Sequence, residues 1–83
     1  FNIINDQSLR IIANGTSGAL SPSITITEPR TPANAGTIFL SRNSAAGTLG
    51  ELDVGTVDMA AGTFIITSAN ASDTSTVNWY ILG

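Results

Sequence analysis

Apolar and polar residues alternate in short runs along this chain, and the runs are separated by clusters of Gly, Pro, Asn, Asp and Ser. Ser23 to Thr27 sets Ile24 and Ile26 against Ser23, Thr25 and Thr27. Thr37 to Ser41 sets Ile38 and Leu40 against Phe39. Leu49 to Val54 puts Leu52 and Val54 on one side, Glu51 and Asp53 on the other. Gly62 to Thr67 carries Phe64 and Ile66 on one face and Ile65 between threonines on the other; Thr76 to Leu82 carries Val77, Trp79 and Ile81 opposite Asn78, Tyr80 and Leu82. A two-residue period is the signature of a half-buried strand. Regular punctuation of such strands points to a sandwich or barrel. Helical periodicity is absent. The expected fold is a small all-β, antiparallel, jelly-roll-like sandwich of seven to eight short strands without a helix.

The remaining segments follow from turn chemistry. Ser8 to Ala13 reads as a strand with apolar residues on both faces, and Phe1 to Asn5 as a strand or the end of an upstream element. Asn14-Gly15-Thr16-Ser17-Gly18 reads as a turn, because Asn-Gly suits the positive φ of tight hairpins. Glu28-Pro29-Arg30-Thr31-Pro32 breaks the pattern, since each proline removes a ladder donor. Asn43 to Gly47 is a small-residue loop, and Gly55 precedes a separate short run with Val57 and Met59. Ala69 to Thr74 is turn-prone, which makes the two last runs a hairpin. The predicted core is Trp79, Phe64, Ile66, Ile24, Ile26 and Leu40. Residues 1–83 form a single domain, expected to be the C-terminal module of a longer protein; Phe1 opens it in place of a Met.

Composition narrows what such a domain can do. A chain of 83 residues leaves a thin core, burying only about 60% of its unfolded surface. Small domains usually add disulfides, a metal or a partner subunit. With no Cys and no His, disulfides and the common zinc sites are excluded, and association with further copies is the expected support. Charged residues are 11% of the chain and the net charge is −3, with Arg10, Arg30 and Arg42 the only cations. Nucleic acid and anionic membranes both require clustered positive charge, so neither is an expected partner. No apolar run approaches the length of a bilayer span, and no signal peptide is expected.

The candidate chemistry is correspondingly small. Ser-His-Asp and Cys-His sites are impossible here. Glu51 and Asp53 share a strand face, but alternation already explains them as a solvated edge. Asn70, Ser72, Asp73 and Thr74 offer oxygens for calcium. An Asx-turn, with Asp73 bonding the backbone of Ser75 or Thr76, accounts for the same residues without a metal. Cofactor and metal are both read as none. Two sequons, Asn14-Gly15-Thr16 and Asn70-Ala71-Ser72, matter only in a eukaryotic secretory setting. A second face of the strands carries isolated large residues, Phe39, Ile65 and Tyr80, which read either as core of the opposite sheet or singly exposed groups, or as a candidate subunit interface or ligand shelf. Trp79 shares its face with Val77 and Ile81 and belongs to the core. Tyr80 as a stacking platform, Asn78 beside it and Arg42 as a cationic donor form the candidate carbohydrate site.

The closing third adds a resemblance. Ala61-Gly62-Thr63-Phe64-Ile65-Ile66-Thr67-Ser68, followed by Ser72-Asp73-Thr74-Ser75-Thr76-Val77-Asn78-Trp79-Tyr80-Ile81, resembles the C-terminal β domain of tailed-bacteriophage virion proteins such as tail fibres and tailspikes. Gly36-Thr37-Ile38-Phe39-Leu40-Ser41-Arg42 and Gly47-Thr48-Leu49-Gly50-Glu51-Leu52-Asp53-Val54 are similar to its upstream strands. The likeness runs from about Leu20 to Leu82, with Trp79 and Asp73 matching the family's Trp and Asp; the proline-rich stretch at Glu28 departs from it. The resemblance implies a homotrimerising cap in the virion, extracellular, on a parent that could itself be a polysaccharide depolymerase; without His, Cys or a convincing carboxylate pair, the module itself is read as non-enzymatic. It leaves two alternatives: a receptor-recognition head for host surface polysaccharide, and a capsid decoration protein.

Overall fold

The computed structural model describes residues 11–83. Six strands lie in that range: β1 (Ile11–Thr16), β2 (Ser23–Thr27), β3 (Ile38–Ser44), β4 (Leu52–Asp58), β5 (Thr63–Ser68) and β6 (Thr76–Leu82). They form two antiparallel sheets of three strands each, ordered β1-β6-β3 and β2-β5-β4. The chain is all-β as the alternation requires. The one helical element among the described residues is a single 3-10 turn at Ala35–Thr37, where the Asn34 side chain accepts from the Gly36 N–H at 3.0 Å.

Each sheet turns its apolar face toward the other. Ala13, Ile38, Val77, Trp79 and Ile81 from the first sheet meet Phe64 and Ile66 from the second, with Leu20 from the connecting loop. The Trp79 and Phe64 rings meet edge-on, with centroids 5.4 Å apart and planes at 78°; this arrangement sets the positive edge of one ring against the negative face of the other. Of the residues expected in the core, Trp79, Phe64 and Ile66 are buried. Ile24, Ile26 and Leu40 are half-buried and pack against them.

Three local expectations change. Asn14 and Gly15 do not turn: they sit inside β1, opposite Tyr80 and Trp79 of β6. The pairing continues past the strand, with Ser17 N–H donating to the Val77 carbonyl at 2.7 Å and Val77 N–H donating to Ser17 Oγ at 2.9 Å. Gly15 is needed for space rather than for a positive φ, because a Cβ there would lie 2.6 Å from Trp79 Cζ2. The runs around Val54 and Val57 are one strand. A bulge between these two residues keeps both on the inner side, opposite Ile66 and Phe64. Finally, β5 and β6 are not a hairpin. They are the central strands of opposite sheets, and the segment between them crosses the sandwich. The run at Phe1 to Asn5 and the first half of that at Ser8 to Ala13 lie outside the described residues.

The proline-rich stretch becomes a compact turn headed by Glu28. The Glu28 carbonyl accepts from Thr31 N–H at 3.0 Å and from Thr31 Oγ1 at 2.7 Å. Its carboxylate accepts from Arg30 N–H at 2.8 Å and Arg30 Nε at 3.1 Å.

Trp79 joins the two sheets through Phe64 and occupies the space that Gly15 leaves. Trp79→Ala is expected to cost about 3–5 kcal/mol through lost burial and the remaining cavity, read as a lower midpoint in urea unfolding. Gly15→Val, which adds rather than removes atoms at the same contact, is expected to destabilise as well.

Candidate functional site

Two groupings of polar and aromatic side chains stand out, and they lie on opposite faces of the β1-β6-β3 sheet. The first is on its outer face. Cross-strand partners project to the same side, so the register gives the rows directly. Ile11 lies beside Leu82; Asn14, Tyr80 and Phe39 form the next row; Thr16, Asn78 and Ser41 the third. Thr16 Oγ1 donates to Asn78 Oδ1 at 2.8 Å, and Asn43 Nδ2 donates to Thr76 Oγ1 at 3.0 Å. The face therefore has an apolar end and a polar end. At the apolar end Ile11, Phe39, Tyr80 and Leu82 line an open hollow of about 280 Å³. Phe39 and Ile11 are each 51% exposed. Among the described residues, no charged side chain projects from this face.

The second grouping is a buried clasp at one end of the sandwich. Arg42 pairs with Val77 in register and so points inward, away from Tyr80 and Asn78. Its Nη2 reaches Asp73 Oδ2 at 2.8 Å and the Gly50 carbonyl at 2.7 Å, while Nε donates to Ser75 Oγ at 3.1 Å. Asp73 is fully buried. Its Oδ2 also accepts from Ser68 Oγ at 2.7 Å and Gly50 N–H at 3.0 Å, and its Oδ1 accepts from Ser75 N–H at 3.0 Å. Hydrogen bonds from Ser75, then from the Gly50 backbone and Ser68, hold the Asp73 carboxyl far below the usual carboxylate range. Gly47 completes the clasp: its φ is +70°, and a Cβ there would collide with the Ser72 carbonyl oxygen.

The expected residues thus separate. Tyr80 and Asn78 share a face, and Phe39 joins them. Arg42 does not; its guanidinium is engaged inside the domain. Ile65 projects from the outer face of the other sheet, opposite Thr25, so the three interface candidates do not form one surface. Of the four calcium candidates, Asp73 is directed into the clasp and Asn70 Oδ1 caps Ser72 N–H at 2.8 Å. The Asx-turn at Asp73 is formed on Ser75. Glu51 and Asp53 are exposed. Ile11 and Leu82 were not singled out by the sequence. Both lie on the outer side of their strands, and only the β1–β6 register puts them beside each other.

Against known families, residues 12–82 match the model for the C-terminal domain of K1 capsule-specific polysaccharide lyase. The chain belongs to that family. Membership in this tailspike-type family of C-terminal domains agrees with the phage tail-protein resemblance in its closing strands, where Asp73 and Trp79 are the clasp carboxylate and the core indole. No curated protein and no solved structure shows a significant match.

In this polysaccharide lyase C-terminal domain, the pH dependence of stability follows from the clasp. Folding favours the ionised form of Asp73, and of Glu28, whose carboxyl is lowered chiefly by the hydrogen bond from the Arg30 side chain. Their contribution is complete above the unfolded values of about 3.9 and 4.3 and is lost as acid protonates them. Urea midpoints are expected to be level from about pH 7 to 5 and to fall below about pH 4. Asp73→Asn should lower the midpoint at neutral pH, because it leaves the Arg42 charge without its counterion. The same variant should flatten the acid limb; an acid limb as steep as that of the parent would assign the dependence to other carboxylates.

Proposed function

We propose that this chain is a non-enzymatic assembly module of a phage tailspike or tail fibre, closing it as a homotrimer, and that the parent protein acts on a capsular polysaccharide. The observation that supports assembly is the outer face of the β1-β6-β3 sheet: among the described residues it is uncharged, and it leaves Phe39 and Ile11 half-exposed on a domain whose core is thin. Covering it with other copies would add the apolar burial that a small domain without disulfides lacks. The threefold symmetry is the expectation carried by the resemblance to phage tail fibres and tailspikes.

The electrostatics favour this reading over binding of an acidic glycan. Lyase cleavage is an elimination, and a sugar carboxylate acidifies the proton that is removed, so the polymer of such an enzyme is anionic. This chain carries a net charge of −3, and among the described residues both arginines face a carboxylate of their own chain, Arg30 with Glu28 and Arg42 with Asp73. A second reading, contact with an uncharged sugar, rests on Tyr80, Phe39 and Asn78 sharing the outer face.

Light scattering over a range of concentrations tests the assembly. The expected result is a molar mass three times that of the chain at micromolar concentration. A monodisperse monomer there would overturn the proposal.

A further inference from the structure

Resting on the assembly reading, we propose that the apolar end of the outer β1-β6-β3 face is a like-on-like contact, in which Ile11, Phe39, Tyr80 and Leu82 of one copy meet the same four residues of its neighbours around the symmetry axis. Three features of the molecule lead there. First, these side chains line one hollow without a charged group, and two of them are half-exposed. Apolar surface gathered in this way marks a site that water leaves on binding.

Second, the face is ordered like an interface. Its apolar centre grades into a rim of Asn14, Thr16, Ser41 and Asn78, whose side chains carry hydroxyls and amides. An apolar core inside a polar rim is the usual anatomy of a protein–protein contact. Four side chains are too few for a stable interface of about 800 Å² per partner, so the rim must take part in it.

Third, charge chooses the occupant. Copies of an acidic chain repel one another unless the surfaces that meet carry no acid. The other sheet presents Asp53 and Asp58 on its outer face, paired with Thr67 and Thr63; among the described residues the β1-β6-β3 face presents none. Among the described residues the face offers an anionic polymer or lipid surface no unpaired arginine, since Arg42 is turned inward to Asp73. In a cyclic assembly, residues at the axis meet their own copies, while the rim around them meets a different part of the neighbouring copy.

The sequence offers a direct probe, because Tyr80 is its only tyrosine and cysteine is absent. Nitration of the intact chain by tetranitromethane, read by mass spectrometry, should be slowed at least tenfold where light scattering shows association, and should recover on dilution to monomer. Phe39→Cys should be joined to its own copy by a short bis-maleimide in the associated form. Met59→Cys, at a residue 59% exposed on the β4–β5 turn, should not. An associated chain whose Tyr80 reacts at the diluted rate would overturn this contact while leaving the assembly intact. A chain that is monomeric throughout would overturn both. Tyr80 shielded equally in the monomer would show cover from within the same chain, and shielding that appears only with added capsular oligosaccharide would show a sugar; either result overturns the contact.

Discussion

A single buried carboxylate holds the crossing between the two sheets. Asp73 lies in the segment that carries the chain from β5 to β6, and its oxygens are met by Arg42 of β3, the Gly50 backbone before β4, Ser68 at the end of β5 and Ser75 ahead of β6. The segment from Ser68 to Ser75 is thereby fixed to Arg42 and Gly50, which lie 31 and 23 residues from Asp73, at one end of the sandwich. A buried charge is costly unless it is paired and its remaining lone pairs are satisfied. Here the pairing is complete, and no buried side-chain nitrogen or oxygen among the described residues lacks a partner. In a chain without disulfides this clasp supplies a cross-link between the sheets that does not depend on apolar area.

The clasp also decides which residues remain available for binding. By drawing Arg42 inward it removes the cation from the face that carries Tyr80, and the Glu28 turn engages Arg30 in the same way. What is left among the described residues on the outside of the β1-β6-β3 sheet is uncharged, amphipathic and carries the Phe39 and Tyr80 rings. The structural role of one ion pair and the binding character of the opposite face are thus consequences of the same side-chain orientation.

The apolar core and the outer face are linked through β6. Its inward residues Val77, Trp79 and Ile81 are buried, while Asn78, Tyr80 and Leu82 look outward. Because β6 is the central strand of its sheet, bonded on both sides, Tyr80 is held on a rigid support. Gly15 on β1 lets the Trp79 indole lie against the neighbouring backbone. A shift of β6 by one residue would exchange the core for the surface, so the packing of Trp79 against Phe64 also fixes where Tyr80 is presented.

Much of this was legible in the sequence. Alternation in Ser23–Thr27, Gly62–Thr67 and Thr76–Leu82 determined that the chain is all-β, which side of each strand is buried, and that Trp79 is a core residue, because a strand's period is local and a single face must leave water. The Asp73 turn onto Ser75 was readable for the same reason, being made two residues away. Three things required the tertiary structure. Strand pairing placed β5 and β6 in opposite sheets, although a turn-rich link between them suited a hairpin equally well. The Asn14-Gly15 pair reads locally as a turn, and only the presence of Trp79 across the ladder shows that the glycine serves close approach. The ion pair between Arg42 and Asp73 joins residues 31 apart, and a separation of that length carries no periodic signal. The sequence therefore determined which faces are apolar; which faces meet, and that Arg42 is drawn inward, depended on the long-range packing that brings distant strands into register.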